Sequence, residues 1–312
     1  MIMNGVLVID KETGPTSHDI VSSVRKLLRQ KKVGHTGTLD PAATGVLPLV
    51  LGKATKLSRY MAADSKRYHA TIKLGFNTDT LDGDGEVVRE RPVDVSEERL
   101  RAAVEKFVGP IEQLPPMYSA KKVDGKKLYE LARKGIEVER EPKKVTIHSI
   151  DILDISLPEL SLDVFCSSGT YLRVLAEDLG EALGCGVYLK ALRRTSSGVF
   201  DLSHAVTLEE LADDPDLAGE RMLSLGEALS GFIQIRVPPR IGRAIASGHQ
   251  LNVADLRGLD IPDFRSDELI TLHLDDGPLI AIARSLVASD ELSSCRRDRW
   301  ALKTERVVGP PS

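Results

Sequence analysis

The sequence predicts an α+β protein with a second, smaller β domain at its C-terminal end. Its 312 residues exceed the usual size of one domain. Strand-like segments and amphipathic helical segments are mixed over the first two thirds of the chain, whereas short β-rich segments separated by turn residues follow from about residue 233. We therefore expect a large domain over residues 1–230, with a basic arm at about 110–140, and a β domain over 233–312.

The first elements follow from local patterns. "GVLVIDK" is apolar and β-branched, which predicts a strand, and the next segment carries an apolar stripe at helical spacing with Thr16 or Ser17 as its cap. "GVLPLVLG" predicts a buried strand that Pro48 marks as an edge or interrupted one. "KRYHATIKLG" alternates strictly and predicts a half-buried strand. Its apolar face would carry Tyr68, Ala70, Ile72 and Leu74.

The later elements are equally regular. "SEERLRAAVEKFVG" predicts an amphipathic helix capped by Ser96, and "KVTIHSIDILDI" and "LSLDVFCSSG" predict two strands. In "TYLRVLAEDLGEALG" leucines recur at helical spacing, and Gly184 is the expected C-cap. The β-rich tail contains "ELITLHLDD", "LIAIARS" and "LKTERVV".

Composition excludes several classes of protein. No apolar run approaches the roughly 20 residues of a membrane span, and the N-terminus lacks the features of a signal peptide. We therefore expect a cytoplasmic protein. Cys166, Cys185 and Cys295 are far apart and odd in number, which argues against a disulfide framework or a zinc site and predicts reduced, buried thiols. The seven histidines form no HExxH pair, so we expect no metal.

The net charge of −4 hides an asymmetry between the two halves of the chain. Residues 1–150 carry 26 Lys and Arg against 20 Asp and Glu, a balance of +6, and the rest carries 16 against 26, a balance of −10. A charge run is often only a solvated surface. The basic first half is also what a nucleic-acid-binding domain requires.

The segment "GHTGTLDPAATG", residues 34–45, places a single carboxylate in a loop of glycines and threonines. It lacks the GK[ST] ending of a phosphate-binding loop and the spacing of a dinucleotide-binding loop. Pro41 steers Asp40 away from helical backbone angles, and the glycines allow close approach to a ligand. Asp40 is therefore either a turn-capping residue or a functional carboxylate.

Arg173 lies in the first turns of a helix that is mostly apolar. An unpaired buried charge costs several kcal/mol, so this arginine needs an acidic partner. Glu177, four residues later, and a distant carboxylate are the two alternatives. The acidic segment "DTLDGDGE" does not have the spacing of a calcium loop, and we interpret it as a turn between strands.

Five segments together resemble the TruB-type tRNA pseudouridine synthases: "GHTGTLDPAATGVLP", "KRYHATIKLG", "TDTLDGDGE", "PPMYSAKKVDGKKLYELAR" and "GTYLRVLAEDLGEALGCGVYLKALRR". They occur in the expected order over roughly residues 4–200. The tail from about 233 is more loosely similar to the PUA-like RNA-binding domain of bacterial members. The resemblance implies the pseudouridine synthase fold, a mixed, largely antiparallel sheet flanked by helices.

The resemblance also implies roles for individual residues. Asp40 matches the family's catalytic aspartate, Arg173 is similar in position to the arginine that pairs with it, and Tyr68 to the tyrosine that stacks on the target base. Leu192 matches an apolar residue of the pocket, and His35 the histidine that enters the RNA where the flipped base has left. The basic arm would bind phosphates through Lys121, Lys122, Lys126 and Lys127.

The implied reaction converts uridine to pseudouridine in the TΨC loop of tRNA, recognised through the T arm. Nothing is oxidised in this isomerisation, so we expect no cofactor, and a monomer suffices because nothing demands a partner subunit. A single carboxylate can attack C1′ or remove a proton from C2′, and the sequence does not choose between these routes. The alternatives are a non-catalytic RNA-binding or RNA-folding protein on the same scaffold and, disfavoured by the missing phosphate lysine, a Gly-loop phosphotransferase.

Overall fold

A computed structural model of the chain describes residues 2–119, 122–123, 125–132, 134–275 and 277–308. Its strands are β1 Gly5–Lys11, β2 Val33–His35, β3 Thr44–Leu51, β4 Lys66–Leu74, β5 Phe76–Thr78, β6 Val87–Glu90, β7 Gly109–Gln113, β8 Lys122–Val123, β9 Lys126–Lys127, β10 Lys143–Ser156, β11 Glu159–Cys166, β12 Val187–Ser197, β13 Phe200–Asp201, β14 Ala205–Val206, β15 Ile233–Val237, β16 Leu251–Asn252, β17 Leu269–Leu274, β18 Leu279–Ser285 and β19 Trp300–Val307.

The α-helices are α1 Ser17–Leu27, α2 Ser58–Ala62, α3 Glu97–Glu105, α4 Leu128–Ala132, α5 Leu172–Leu183, α6 Leu208–Asp213, α7 Leu217–Glu220, α8 Leu225–Ala228, α9 Pro239–Ala246 and α10 Val253–Leu256. Short 3₁₀ helices cover Gly52–Lys56, Leu202–His204 and Asp290–Ser293. Among the residues that the structure describes, no helix combines the length and the apolar character needed to cross a membrane.

A ten-stranded sheet forms the centre of the larger part of the molecule. Its main order is β14-β1-β3-β12-β4-β11-β10-β7, with β2 beside β3 and β13 beside β12. The β1·β14 and β3·β12 pairs are parallel, and the other pairs of this sheet are antiparallel. The α+β class and the mixed, largely antiparallel sheet are therefore confirmed.

Helices α1, α3 and α5 cover one face of this sheet. The alternation of β4 buries Tyr68, Ala70, Ile72 and Leu74, as its pattern predicts. These side chains share one core cluster with Val24 of α1, Leu100 of α3 and the leucines of α5. The predicted caps are confirmed for α1, where Thr16 is the N-cap, for α3 with Ser96, and for α5, where Gly184 is left-handed with φ of 80°.

The chain from Ile233 onwards forms a separate five-stranded sheet in the order β15-β17-β18-β19-β16. It has its own core cluster, which includes Ile235, Ile270 and Leu302. A third cluster joins Val6 and Val8 of β1 to Leu279 and Ile282 of β18. The predicted C-terminal β unit is thus present, and it packs against the face of the large sheet opposite the helices.

One open alternative is decided, and one expectation needs correction. Pro48 does not lie on an edge strand, because β3 is flanked by β1 on one side and by β12 and β2 on the other. The strand is interrupted there: β12 pairs with Thr44 and Gly45, β2 pairs with Leu49–Leu51, and the imide nitrogen of Pro48 falls between them. Cys166 and Cys185 are buried free thiols as expected, but Cys295 is only partly buried.

Candidate active site

Asp40 lies in a tight turn at the end of the Gly-rich loop. Its carbonyl accepts a hydrogen bond from the Ala43 amide at 3.0 Å, and the carbonyl of Pro41 accepts one from Gly14 at 2.9 Å. The neighbouring Leu39 is buried, and its amide and carbonyl both bind the Ser17 hydroxyl, at 2.8 and 2.9 Å. The backbone of the turn is therefore fixed on both sides, while 45% of the Asp40 side chain remains exposed.

Two buried cations, Lys11 and Arg194, donate hydrogen bonds to backbone carbonyls in and beside this loop. The Lys11 ammonium donates to the carbonyls of Ala43 at 2.6 Å and Pro41 at 3.0 Å, and the residue is fully buried. Burial lowers its pKa to about 8, although the negative charge of Asp40 acts in the opposite direction. Arg194, 1% exposed, donates to the carbonyl of Val46 at 2.7 Å and more weakly to that of Gly37 at 3.2 Å. Sequence patterns did not predict either residue.

Arg173 is the centre of the polar cluster. Helix α5 begins at Leu172, so Arg173 is in its first turn, and its side chain is only 7% exposed. Nη2 lies 2.9 Å from the Asp40 carboxylate, and Nη1 lies 3.2 Å from the Asp82 carboxylate. Arg173 also donates to the backbone carbonyls of Thr80 at 3.2 Å and Tyr118 at 2.8 Å. Of the two alternatives, the partner is a distant carboxylate rather than Glu177.

Asp82 is the functional candidate that sequence reasoning missed. Its carboxylate is 14% exposed and accepts hydrogen bonds from the Thr80 hydroxyl at 2.6 Å and the Asp84 amide at 3.2 Å, while its other oxygen faces Arg173. The acidic turn that contains it was interpreted only as a connection between strands. A usable signal existed, because a buried arginine with two amine groups can bind a second carboxylate.

Tyr68 and Leu192 come from neighbouring strands of the sheet, β4 and β12. In the register of this pair Leu192 lies opposite Ala70, and Arg194 lies opposite Tyr68. The Tyr68 side chain belongs to the buried core cluster, and Leu192 packs against that cluster from a partly buried position. Burial raises the pKa of the Tyr68 hydroxyl, and the charges of Arg194 and Asp40 act on it in opposite directions.

His35 ends strand β2, just before the loop that carries Asp40. Its ring is partly buried, and Nδ1 has no hydrogen-bond partner among the described residues. Burial lowers the pKa of the imidazole, and the positive charge of Arg194 lowers it further. Both effects favour the neutral form of the ring, and its Nδ1 atom is buried without a hydrogen-bond partner among the described residues.

The four predicted arm lysines stay predictions. Lys121 lies outside the described residues, and Lys122, Lys126 and Lys127 are described only as parts of the short strands β8 and β9. Within the described part of the chain, no group of three or more His, Cys, Asp or Glu side chains could hold a metal ion.

Two family models match adjacent parts of the chain. The model described as TruB family pseudouridylate synthase, N-terminal domain, matches residues 25–172, and the model described as tRNA pseudouridylate synthase B C-terminal domain matches residues 173–232. The first contains Asp40, Tyr68 and Asp82, and the second begins at Arg173. The cluster described above therefore joins the two matched regions.

Similar proteins cover nearly the whole chain. A protein named tRNA pseudouridine synthase B from Syntrophus aciditrophicus (strain SB) is 40% identical over 307 residues, 98% of each chain, and its namesake from Azoarcus sp. (strain BH72) is 50% identical over 251 residues, 80% of this chain and 84% of the relative. A crystal structure of a Cbf5-Nop10-Gar1 complex superimposes with a TM-score of 0.80 at 26% identity, over 98% of this chain and 85% of its counterpart. Given these matches, the chain belongs to the TruB family of pseudouridylate synthases.

Proposed function

We propose that this protein isomerises uridine to pseudouridine in the TΨC loop of tRNA. The observation that carries the proposal is the half-exposed Asp40 carboxylate, held on a fixed turn and bound from behind by the buried Arg173. Membership of the TruB family supplies the reaction class, and relatives named tRNA pseudouridine synthase B support tRNA as the substrate.

The reaction breaks the N1–C1′ bond of uridine, turns the base over and joins C5 to C1′, with loss of the C5 proton and protonation of N1. Asp40 can attack C1′ to form a sugar ester, or remove the C2′ proton to form a glycal, and both routes need an ionised carboxylate. Arg173 places a cation 2.9 Å from this carboxylate, so an opposite charge faces its negative charge.

Asp82 is proposed to orient Arg173. The guanidinium presents two amine groups, and with Asp82 bound to Nη1 the other group, Nη2, points at Asp40. The carbonyls of Thr80 and Tyr118 restrict its rotation further. Because the arginine is nearly buried, this arrangement is formed before substrate arrives, which reduces the reorganisation needed during reaction.

We assign the remaining site residues to the substrate base and its neighbours. Tyr68 and Leu192 come from paired strands and would form the apolar floor on which the flipped uracil stacks. His35 would enter the RNA beside the vacated position. Flipping takes the base out of its stack and exposes it to these side chains.

A basic surface beside the catalytic loop supports an RNA substrate. Residues 20–63 contain eight Lys and Arg residues, and the only acidic residue in this segment is Asp40. Within this segment the 3₁₀ helix Gly52–Lys56 is joined to the connection between α1 and β2 by a hydrogen bond from the Gly52 amide to the Lys32 carbonyl at 2.9 Å. This brings together exposed cations from three segments: Lys26, Arg29, Lys31, Lys32, Lys53 and Lys56. Such a surface binds phosphates, and the arm lysines Lys121, Lys122, Lys126 and Lys127 would extend it to the T arm.

We further propose residues 1–230 as the catalytic domain and 233–312 as a PUA-like RNA-binding domain. Asp40, Tyr68, Asp82 and Arg173 come from one chain, which supports a monomer as the working unit. The reaction is a net isomerisation and therefore requires no redox cofactor. A tRNA substrate supports our proposal of a cytoplasmic location.

The test is incubation of purified protein with an unmodified tRNA transcript, without metal or nucleotide, followed by pseudouridine-specific chemical mapping. Asp40→Asn is run in parallel, because it removes the charge and changes the volume little. We expect modification confined to the T loop with the wild type, and RNA binding without product with Asp40→Asn. Binding without modification by the wild type would instead indicate the RNA-folding alternative, and product from Asp40→Asn would refute the role of the carboxylate.

A further inference from the structure

The C-terminal β unit carries an exposed aromatic residue that the proposed reaction does not use. Trp300 is the only tryptophan in the sequence, and it is 50% exposed at the start of β19. The chain is poor in aromatic residues, which make up 4% of it. The next two residues of the strand, Ala301 and Leu302, are both fully buried.

A β-bulge is what turns Trp300 outwards. Strands β16 and β19 pair with Leu251 opposite Leu302 and Asn252 opposite Trp300, so one step along β16 corresponds to two steps along β19. In a regular strand, residues two apart share a face, and Trp300 would be buried together with Leu302. The extra residue places the two side chains on opposite faces. Bulges commonly redirect a side chain in this way near functional sites.

The surroundings of Trp300 hold it in a rigid frame. The His249 ring packs edge-on against the indole, with ring centroids 6.1 Å apart. His249 Nε2 lies 3.1 Å from the Asp255 carboxylate, which also accepts the Asn252 amide at 3.0 Å. The backbone before Trp300 is tied to α10 by a 2.9 Å hydrogen bond from the Val253 amide to the Arg299 carbonyl. A stacking surface built this way needs little ordering on binding.

Exposed arginines precede the tryptophan in the segment "CRRDRW". Arg296 is paired with Asp298 at 3.0 Å, whereas Arg297 and Arg299 form no ion pair with any described residue. A surface depression of about 600 Å³ is lined in part by Arg299, and also by the acidic residues Glu291 and Asp298. Two exposed arginines without a carboxylate partner among the described residues therefore precede Trp300 in the chain, and Nη1 of Arg299 lies 3.2 Å from the Cys295 sulfur.

We propose that Trp300 and His249, with Arg297 and Arg299, bind an unpaired nucleotide of the RNA substrate at a position outside the reacting loop. The indole offers a flat face to a base, and the arginines complement the adjacent phosphates. Base stacking on an aromatic ring tolerates any sequence, which suits a contact away from the modified uridine. This inference rests on the proposed RNA substrate, and it adds a second contact at the far end of the sequence.

Because Trp300 is the only tryptophan, protein fluorescence reports on it directly. Wild-type protein is titrated with a full-length tRNA transcript and with a hairpin of the T arm alone, and modification of both RNAs is measured in the same samples. We expect the tRNA to quench Trp300 emission and the hairpin to leave it unchanged while still being modified. Modification of the tRNA without quenching would overturn the inference and leave the proposed function intact. Absence of modification would count against the proposed function instead.

Affinity measurements with variants complete the test. Trp300→Ala should weaken binding of the full-length tRNA roughly tenfold, Trp300→Phe should restore most of it, and Arg299→Gln should weaken binding and reduce its salt dependence. Arg306→Gln changes an exposed arginine later in the same strand and is the matched control, expected to have no effect. Thermal unfolding checks that each variant folds. The proposal would be refuted if Trp300→Ala and Arg299→Gln bound tRNA as tightly as the wild type. It would also be refuted if a protein or lipid vesicles quenched Trp300 emission and tRNA did not.

Discussion

Replacing Arg173 by lysine tests the arrangement of the active site most directly. Arginine serves both carboxylates at once, with Nη2 on Asp40 at 2.9 Å and Nη1 on Asp82 at 3.2 Å. Lysine keeps the positive charge but has a single nitrogen on a flexible stem, so it cannot occupy both positions. The substitution therefore separates the charge of this residue from its geometry.

The expected size of the effect follows from these contacts. Breaking a buried ion pair costs about 3–5 kcal/mol, whereas an exposed pair contributes about 0–1 kcal/mol. The Arg173 side chain is 7% exposed and that of Asp40 is 45% exposed, so a value between these limits, about 1.5–2 kcal/mol, applies. If the contact stabilises the transition state, this corresponds to a roughly 10- to 30-fold lower kcat. The affinity for tRNA should change little, because Arg173 is buried.

The assay is single-turnover release of tritium from tRNA labelled at C5 of uridine, since forming the new C–C bond displaces that hydrogen. Arg101→Lys is the matched control, because Arg101 forms an exposed ion pair with Glu97 on α3, where such a change has little effect. A rate for Arg173→Lys within threefold of the wild type would show that a point charge suffices. The role assigned to the two-pronged arginine would then be wrong.

Three further predictions concern other parts of the molecule. The rate should fall as pH rises through about 8, because burial lowers the pKa of the Lys11 ammonium from its usual 10.5 to about 8. The ammonium donates to three carbonyls, those of Glu12, Pro41 and Ala43, and the neutral amine has only two donors. Lys11→Arg should remove this alkaline limb, and an unchanged profile would contradict the assignment. Changing Lys31 and Lys32 together to glutamine should lower the salt slope of tRNA binding by about 1.5, and an unaltered slope would exclude them from phosphate contact. Maleimide at neutral pH should label the native protein once, at Cys295, because Cys166 and Cys185 are buried. Burial also raises the pKa of the Cys166 thiol to about 11 and raises that of Cys185. Two or more labels in mass spectrometry would contradict this prediction.

Local sequence patterns were sufficient for most secondary structure. The alternation of "KRYHATIKLG" and the helical spacing of leucines in α5 were reproduced because each records which face of an element is buried. Pro48 shows where local reasoning stops. The missing N–H of proline is harmless in an interior strand if the two strands on that side, here β2 and β12, end beside the proline. Whether they do depends on pairing between distant segments.

The active site shows the same division. The Gly-rich loop marked Asp40, and the apolar helix marked Arg173 as an arginine in need of a partner. A buried arginine can bind a second carboxylate, but neither pattern shows which one, because an acidic turn has the same local composition whether or not it faces a cation. The loop supports Lys11 and Arg194 were missed for a related reason: lysine and arginine are usually exposed, and only packing shows that these two are buried.

By itself, the sequence determined the α+β class, the caps and faces of the main helices and strands, the C-terminal β unit and the candidate residues Asp40 and Arg173. These are properties of short segments, where hydrophobic periodicity and backbone preference act over a few residues. Only the tertiary structure decided that Arg173 joins two carboxylates, that buried cations hold the catalytic turn, and that a bulge exposes Trp300. Those facts depend on distances between residues that are far apart along the chain. Only the packing of the two sheets and their helices sets these distances.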